Sequence, residues 1–234
     1  MKRMLCAGLP RIYQITHAFR AAEVGAQHNP EFTMLEWYRV GDDYAAGMQL
    51  LADLAELLFA RPCQKLTYRQ AFQTFAGLDP YSPQAQALGD AKLDEILSLQ
   101  VQPKLGFAPD GKPAPLILHD YPADQAALAR VSPATAESPA VAERFELFAG
   151  GVELANGYHE LLDANILAQR NQKNNVARMA DGKPSLPVES RLLQAMQHGM
   201  PASAGTALGV DRLLMVLLQK QSIEEVIAFP IDRA

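Results

Sequence analysis

Hydrophobic and polar residues alternate along residues 11–40 in a pattern typical of two β-strands. The alternation covers residues 12–15 and returns over residues 32–38, and a period of two places successive side chains on opposite faces of a sheet. Pro30 lies in the polar segment between the two runs, where it excludes a helix. The pattern therefore predicts two strands joined by a polar loop around residues 28–30.

After residue 41 the hydrophobic period changes to that of an amphipathic helix. Asp42 or Asp43 can cap its first turn, and the helix is expected to end near Ala60. Its predicted apolar face consists of Tyr44, Met48, Leu51, Leu54, Ala55 and Leu58. Residues 61–115 predict further helices and loops, with an apolar stripe formed by Leu93, Ile96, Leu97 and Leu99.

The second half of the chain combines strands, a hairpin and two helices. Residues 144–148 and 152–155 flank Gly150-Gly151, which is a strong hairpin signal. The pattern also predicts a strand over residues 116–119, a loop rich in Pro, Ala and Ser over residues 133–140, and a polar helix over residues 160–180. A glycine-rich segment at residues 205–209 then leads into an apolar helix at residues 210–218. Because the elements lack a βαβ rhythm, we expect an α+β fold with an antiparallel sheet flanked by helices.

Composition limits the class of protein. With 234 residues, 49% of them hydrophobic, the chain can form one large domain or two small ones. The net charge of -5 argues against a nucleic-acid-binding surface, so tRNA is not expected as a partner. No apolar run approaches the ~18 residues of a membrane span, and the expected location is cytoplasmic.

The first segment with chemical potential surrounds the loop between the two N-terminal strands. Arg20 and His28 bracket this loop and could hold a polyphosphate, while Phe32 could stack on a base. An ordinary hairpin with a solvated rim is the alternative interpretation.

The second segment is the predicted hairpin. A two-residue turn would place Glu146 and Glu153 on the same face, where two carboxylates are a plausible magnesium site. A solvated sheet face is the alternative. Glu160 lies seven residues beyond Glu153, so the strand must kink or bulge at Asn156-Gly157 if both carboxylates serve one pocket.

The third segment is residues 205–212, in which glycines precede a helix and permit close backbone approach to a ligand. Arg212 would lie in the first turn of that helix, although a surface pair with Asp211 beside a core helix explains the same residues. The remaining histidines and both cysteines show no recognisable spacing and are interpreted as structural or surface residues: His17, His119, His198, Cys6 and Cys63.

Taken together and in this order, the three segments resemble the catalytic core of class II lysyl-tRNA synthetases. The resemblance is greater to the stand-alone branch of that family that ligates (R)-β-lysine to elongation factor P. Residues 28–38 match the second class II motif, residues 144–160 the lysine-specific hairpin, and residues 205–212 the third motif, and the ending at residues 226–233 is also similar. The resemblance covers residues 1–234 as a single catalytic domain.

The resemblance implies ATP as substrate, Mg²⁺ as cofactor and an acyl-adenylate intermediate. Arg20 and Arg212 would be catalytic, clamping the α- and γ-phosphates, because a reaction whose nucleophile is already ionised depends on alignment and charge neutralisation. Phe32 would stack under adenine with Arg212 covering its other face, and Glu146 and Glu153 would hold Mg²⁺. The implied ATP-binding residues are Arg20, Glu23, His28, Asn29, Phe32, Glu153, Leu154, Gly209 and Arg212.

For the second substrate the resemblance implies lysine or (R)-β-lysine, with a lysine of elongation factor P as acceptor. Asn156 would orient the substrate carboxylate, and Glu160 and Tyr38 would recognise its distal ammonium group. Ala207 stands where lysyl-tRNA synthetases have Gly, and its methyl group could favour the displaced amino group of β-lysine.

The chain also departs from the family pattern. Arg20-Ala21-Ala22-Glu23 replaces the usual Arg-x-Glu. In the family, a Ser-Pro-Glu segment comes immediately before the equivalent of Met1, and the first class II motif lies further upstream. Residues 1–234 contain neither of these segments and no anticodon-binding domain. A homodimer would therefore lack its usual interface segment. A misassigned start or a shortened paralogue explains these departures, so a lysyl-tRNA synthetase fragment and a non-catalytic ATP- or lysine-binding paralogue remain alternatives.

Overall fold

One mixed sheet of eight strands organises residues 1–136 and 138–233, the part of the chain that the computed structural model describes. Its strand order is β1-β2-β8-β7-β6-β4-β3, with β5 paired to β6, and every pair is antiparallel except β3 with β4. The predicted α+β class with a mainly antiparallel sheet is confirmed. The strands are Arg11–Phe19 (β1), Glu31–Val40 (β2), Gln64–Thr67 (β3), Leu116–Pro122 (β4), Val131–Ser132 (β5), Val141–Ala149 (β6), Val152–His159 (β7) and Ser203–Gly209 (β8).

Helices cover the sheet and fix the position of its strands. The α-helices in the described residues are Lys2–Cys6 (α1), Tyr44–Phe59 (α2), Tyr68–Ala76 (α3), Pro83–Gln86 (α4), Asp90–Ile96 (α5), Ala164–Ala180 (α6), Arg191–Gln197 (α7) and Val210–Leu217 (α8). The predicted cap of α2 is confirmed, because Asp43 Oδ1 accepts a hydrogen bond of 2.8 Å from Ala46 N.

Three details of the predicted elements need correction. Residues 61–115 contain the short strand β3, which is too short to give a clear alternation. Leu58 and Leu99 are 38% and 69% exposed and lie outside the apolar faces assigned to them. The glycine-rich segment is strand β8 in the middle of the sheet, because backbone pairing with β2 and β7 compensates for its low strand propensity.

The core is divided by the sheet into two sides. Helices α2 and α8 pack on one face against apolar side chains such as Phe145, Leu147 and Leu208. At the β4 end, the opposite face is covered by a second cluster around α3 and α5 that includes Phe148. The middle of this second face, between β2 and β6, carries the polar side chains described below.

The hairpin between β6 and β7 turns at the predicted glycines. Gly150 and Gly151 have φ of 60° and 75°, and a two-residue turn with both residues in this left-handed region matches the twist of the flanking strands. Ala149 pairs with Val152 across the turn. The turn sets the starting register of the two strands that carry Glu146 and Glu153.

We expect Gly205→Ala to destabilise the protein by about 1–3 kcal/mol, the usual cost of overpacking a core. A Cβ atom at Gly205 would lie 2.3 Å from ring carbons of Tyr38 and 2.7 Å from Glu160 Oε1. Urea unfolding measures the effect, with Gly25→Ala as control, because a Cβ at Gly25 meets nothing within 4 Å. Equal unfolding midpoints for the two variants would contradict the prediction.

Candidate functional site

The candidate site is a row of side chains on the open face of the four central strands. Glu36 of β2 pairs with Ala207 of β8, Ala207 with Asn156 of β7, and Asn156 with Glu146 of β6. Paired residues share a sheet face, so these side chains lie side by side across the sheet. Tyr38 lies two residues after Glu36 and therefore on the same face.

A β-bulge in β7 allows both halves of that strand to serve this face. The pairing shifts between Leu147–Ala155 and Phe148–Glu153, which leaves Leu154 as the extra residue. The predicted irregularity is therefore present, but it lies before Asn156-Gly157. The added residue reverses the alternation, so that Glu153 can accompany Asn156 and Glu160 on one face.

Seven of the nine nucleotide-side residues predicted from sequence, all but Asn29 and Phe32, come together around one cavity of about 240 Å³. Arg20, Glu23 and His28 approach it from the loop between β1 and β2. The remaining predicted residues on its lining come from β7 and from the junction of β8 with α8, namely Glu153, Leu154, Asn156, Ala207, Gly209 and Arg212.

Arg212 connects three parts of this cavity. Its guanidinium donates to Gln27 O at 3.1 Å and to Glu153 O at 3.2 Å, and its Nη2 lies 2.6 Å from His28 Nε2. Burial, and then the charge of Arg212, lower the pKa of His28, so the imidazole is neutral and can accept from the guanidinium. The arginine thus holds the loop against β7 while remaining at the cavity.

Arg20, Phe32 and Asn29 form the outer part of the nucleotide side. The Arg20 guanidinium lies 5.4 Å from the Phe32 ring centroid and its Nη1 lies 3.5 Å from a Glu23 oxygen. Asn29 is 6% exposed and its amide is committed to the backbone, donating to Glu31 O and accepting from Ile231 N. Asn29 therefore ties the loop to the C-terminal segment.

Glu146 and Glu153 share a second cavity of about 660 Å³, as the hairpin register predicted. Glu146 is 3% exposed and accepts hydrogen bonds from Arg144, from the Tyr121 hydroxyl, and from Asn156 Nδ2 at 3.0 Å. Burial, and then the charge of Glu146, raise the pKa of Glu153 to about 7. A cation between the two carboxylates would relieve this repulsion.

These two carboxylates fit a magnesium ion. The described residues contain no group of three or more His, Cys, Asp or Glu side chains suited to a metal, but Mg²⁺ commonly takes only one or two carboxylates together with phosphate oxygens and water. The Glu146–Glu153 pair, next to the cavity that holds Arg20 and Arg212, matches that requirement.

The other end of the row is a buried cluster of charged and aromatic side chains. Glu160 is 1% exposed and Tyr38 is 5% exposed. Glu160 Oε2 accepts a hydrogen bond from Lys2 Nζ. The Tyr38 hydroxyl donates to Glu36 Oε1. The other carboxylate oxygen of Glu36 accepts from Gln14 Nε2 at 3.0 Å. Tyr38 and Glu160 therefore come together as predicted, joined by residues that were not predicted.

Sequence reasoning missed Glu36 and Lys2. Glu36 was detectable, because it precedes Tyr38 by two residues in an alternating strand and must share its face. Lys2 gave no local signal, since its contact with Glu160 spans 158 residues of chain. His17 and His119 were interpreted as structural or surface residues, and their Nδ1 atoms lie 2.6 Å from Glu31 and 3.1 Å from Asp120, outside the row of site residues.

Two buried acceptor oxygens of the predicted substrate-binding residues lack a hydrogen-bond donor among the described residues. They are Asn156 Oδ1 and Glu160 Oε1. Leaving a buried acceptor unpaired costs about 1–3 kcal/mol, more for a charged group. Asn156 belongs to the row and Glu160 follows it by four residues on the same face, so a bound molecule with N–H donors would satisfy both oxygens.

Comparison with known proteins identifies the family of the chain. Residues 1–233 match the family of tRNA synthetases class II (D, K and N). Over its whole length the chain is 44% identical to 75% of the elongation factor P–(R)-β-lysine ligase of Erwinia tasmaniensis and 42% identical to 75% of the protein of the same name from Salmonella paratyphi B. None of the helices in the described residues could cross a membrane. The chain belongs to the class II aminoacyl-tRNA synthetase family.

Proposed function

We propose that the protein is an ATP-dependent ligase that activates (R)-β-lysine or lysine as an acyl-adenylate and transfers it to a lysine of elongation factor P. The observation that carries this proposal is the row from Glu36 through Ala207 and Asn156 to Glu146. The Glu36 end of the row, together with the buried Glu160, offers carboxylates for an ammonium group. The cavity lined by Ala207 and Asn156 also holds Arg20 and Arg212 for phosphates. A molecule bound along the row would present its carboxylate to the nucleotide.

In the first step, the amino-acid carboxylate attacks the α-phosphate of ATP and pyrophosphate leaves. The nucleophile is already ionised, so the protein contributes alignment and charge neutralisation. We assign Arg20 to the α-phosphate and Arg212 to the γ-phosphate, with Phe32 beneath the adenine ring. Asn156 would orient the attacking carboxylate. Mg²⁺ held by Glu146 and Glu153 would neutralise charge on the phosphates.

In the second step, the neutral amine of an acceptor lysine attacks the acyl carbon of the adenylate. An amide bond forms, the bond from the acyl carbon to the phosphate oxygen breaks, and AMP leaves. The amine loses a proton during this transfer. The relatives' printed name supports elongation factor P as the acceptor.

ATP–pyrophosphate exchange with (R)-β-lysine and L-lysine in parallel tests the proposal. We expect lysine-dependent exchange that is greater with (R)-β-lysine, followed by transfer of label to elongation factor P and not to tRNA. Transfer to tRNA would indicate a lysyl-tRNA synthetase instead. Binding of ATP or lysine by a folded protein without exchange would indicate a non-catalytic paralogue.

Ala207→Gly is expected to shift the preference towards L-lysine. The Ala207 methyl group lies between Glu36 and Asn156 on the site face, and one methyl group changes selectivity by about 1–3 kcal/mol, or roughly 10–200-fold. The ratio of kcat/KM for the two lysines measures the shift. Ala204→Gly is the matched control, because Ala204 is on the same strand but the opposite face; an unchanged ratio in Ala207→Gly would contradict the assignment.

The affinity for Mg²⁺–ATP is expected to fall as the pH drops below about 7. Metal binding requires ionised carboxylates, and Glu153, whose pKa is raised to about 7, gains its proton in this range. Calorimetric titration between pH 6 and 8.5 would then show a Kd that rises towards acid pH, by up to tenfold per unit below the pKa. In Glu153→Gln the affinity should be low and much less pH-dependent, whereas a flat profile in the unmodified protein opposes the role.

A further inference from the structure

Lys2 lies on the short helix α1, and its side chain points into a largely buried cluster of aromatic and acidic side chains. Its ammonium contacts Glu160 and lies 5.6 Å from the ring centroid of Tyr38 and 5.5 Å from that of Tyr158. Only 13% of its side chain is exposed. A cation between two aromatic faces and a buried carboxylate is strongly held, and the Leu5 side chain, 1% exposed, anchors the short helix that carries it.

The two oxygens of Glu160 have different environments. Oε2 accepts from Lys2, whereas Oε1 is buried and has no hydrogen-bond partner among the described residues. Oε1 faces Gly205, where an added Cβ would lie 2.7 Å away, and Gly205 pairs with Tyr38 on the strand that bears Glu36. The unpaired oxygen therefore lies over Gly205 on the site face of β8, while Lys2 takes the other one.

The cluster around Glu160 contains more negative than positive charge. Glu36 and Glu160 supply two carboxylates, and Lys2 supplies one cation. A buried charge is costly unless it is paired. With Lys2 in place, one negative charge and one free carboxylate oxygen remain, which suits a single additional ammonium group.

We infer that Lys2 is a resident counter-ion of the ammonium subsite and that it sets this subsite to accept one substrate cation. The inference rests on the function proposed above and adds a specificity-determining residue to it. Lys2 stays in place when the substrate binds, and the substrate ammonium donates to Glu160 Oε1. Lys2 thereby keeps Glu160 ionised and ready to pair.

The electrostatic surroundings of Glu160 support this role. Burial raises the pKa of Glu160 above its ordinary value, and Glu36 adds to the effect; the charge and hydrogen bond of Lys2 oppose this rise and offset part of it. The other titratable group facing the cluster on β2 is Tyr38, and the one on β7 is Tyr158. On β6, Arg144 pairs with Tyr158 and also binds Glu146, and β8 contributes Ser203 and Gly205, which do not titrate. Removing the Lys2 charge would therefore favour the protonated, weaker form of Glu160.

Three variants separate charge from structure. Lys2→Gln keeps a hydrogen-bond donor without the charge, Lys2→Arg keeps the charge, and Arg3→Gln removes a charge from an exposed position of the same helix. At pH 7 we expect Lys2→Gln to raise KM for lysine about tenfold, the equivalent of one pK unit, with KM for ATP unchanged. KM should recover as the pH rises and Glu160 ionises. Lys2→Arg should recover most of the loss seen in Lys2→Gln, and Arg3→Gln should remain close to the unmodified protein.

Several results would overturn the inference. A lower KM for lysine in Lys2→Gln would show that Lys2 competes with the substrate, and the same KM in Lys2→Gln and Arg3→Gln would show that its charge is irrelevant. If the unmodified protein neither binds lysine nor catalyses exchange, the proposed function fails and this inference with it. If the protein is active and Lys2→Gln has the same KM for lysine as the unmodified protein, only the inference about Lys2 fails.

A measurement on the unmodified protein covers the case in which Lys2→Gln does not fold. Calorimetry of lysine binding in two buffers with different ionisation enthalpies gives the number of protons exchanged. A resident counter-ion keeps Glu160 ionised, so we expect almost no proton exchange at pH 7. Release of about one proton per lysine bound would show that Glu160 is protonated beside Lys2 and would refute the inference.

Discussion

Glu160→Gln is expected to lower kcat/KM for lysine or (R)-β-lysine by roughly 10²–10³-fold, because losing one partner of a buried hydrogen-bonded charge pair costs 2–5 kcal/mol or more. Glu160 is 1% exposed and its Oε1 has no partner among the described residues, so the substrate ammonium would rely on it directly. The amide has the same shape but no charge, and it leaves Lys2 without its counter-charge as well. The loss should appear in KM for the amino acid.

The matched control is Glu189→Gln, which removes a carboxylate from an exposed position. Discrimination against norleucine, which lacks the distal ammonium, provides a second readout that a general loss of stability would not change. We expect Glu160→Gln to lose most of that discrimination. Unchanged discrimination in a folded variant would remove Glu160 from the substrate site.

Arg212→Gln is expected to reduce the rate of adenylate formation by about 10³-fold or more, the range found when an arginine that neutralises phosphoryl charge is removed. In the structure this guanidinium is already oriented by carbonyl oxygens of Gln27 and Glu153 and by His28. Such preorganisation lowers the cost of aligning the arginine during the reaction. ATP–pyrophosphate exchange measures the loss, with binding of the amino acid largely preserved.

Arg212→Lys and Arg191→Gln complete this test. Lysine keeps the charge but cannot reproduce the planar fork of donors, so we expect an intermediate rate. Arg191 is exposed on α7, and its replacement should have no effect. An Arg212→Gln variant with a nearly normal exchange rate would contradict a catalytic role, and so would one whose only defect is a lower unfolding temperature.

Local sequence patterns predicted a large part of the site because they report directly on backbone direction. Alternation over β2 placed Phe32 and Tyr38, and the Gly150-Gly151 turn set Glu146 and Glu153 on one face. The sequence indicated that β7 must kink or bulge for Glu153 and Glu160 to share a pocket, and it placed the irregularity at Asn156-Gly157. Its actual position at Leu154 depends on how β6 and β7 pair. No periodicity indicates which residue of a strand is left unpaired.

The sequence by itself determined the α+β class, the hairpin, the cap of α2 and the residue types available for phosphates, a metal and an ammonium group. It could do so because turns, caps and alternation depend on neighbouring residues. Only the tertiary structure decided that the glycine-rich segment is a central strand, that Asn29 is committed to the backbone, and that Lys2 reaches Glu160. These outcomes depend on strand pairing and burial between segments far apart in the chain, where the cost of an unpaired buried charge selects the contacts.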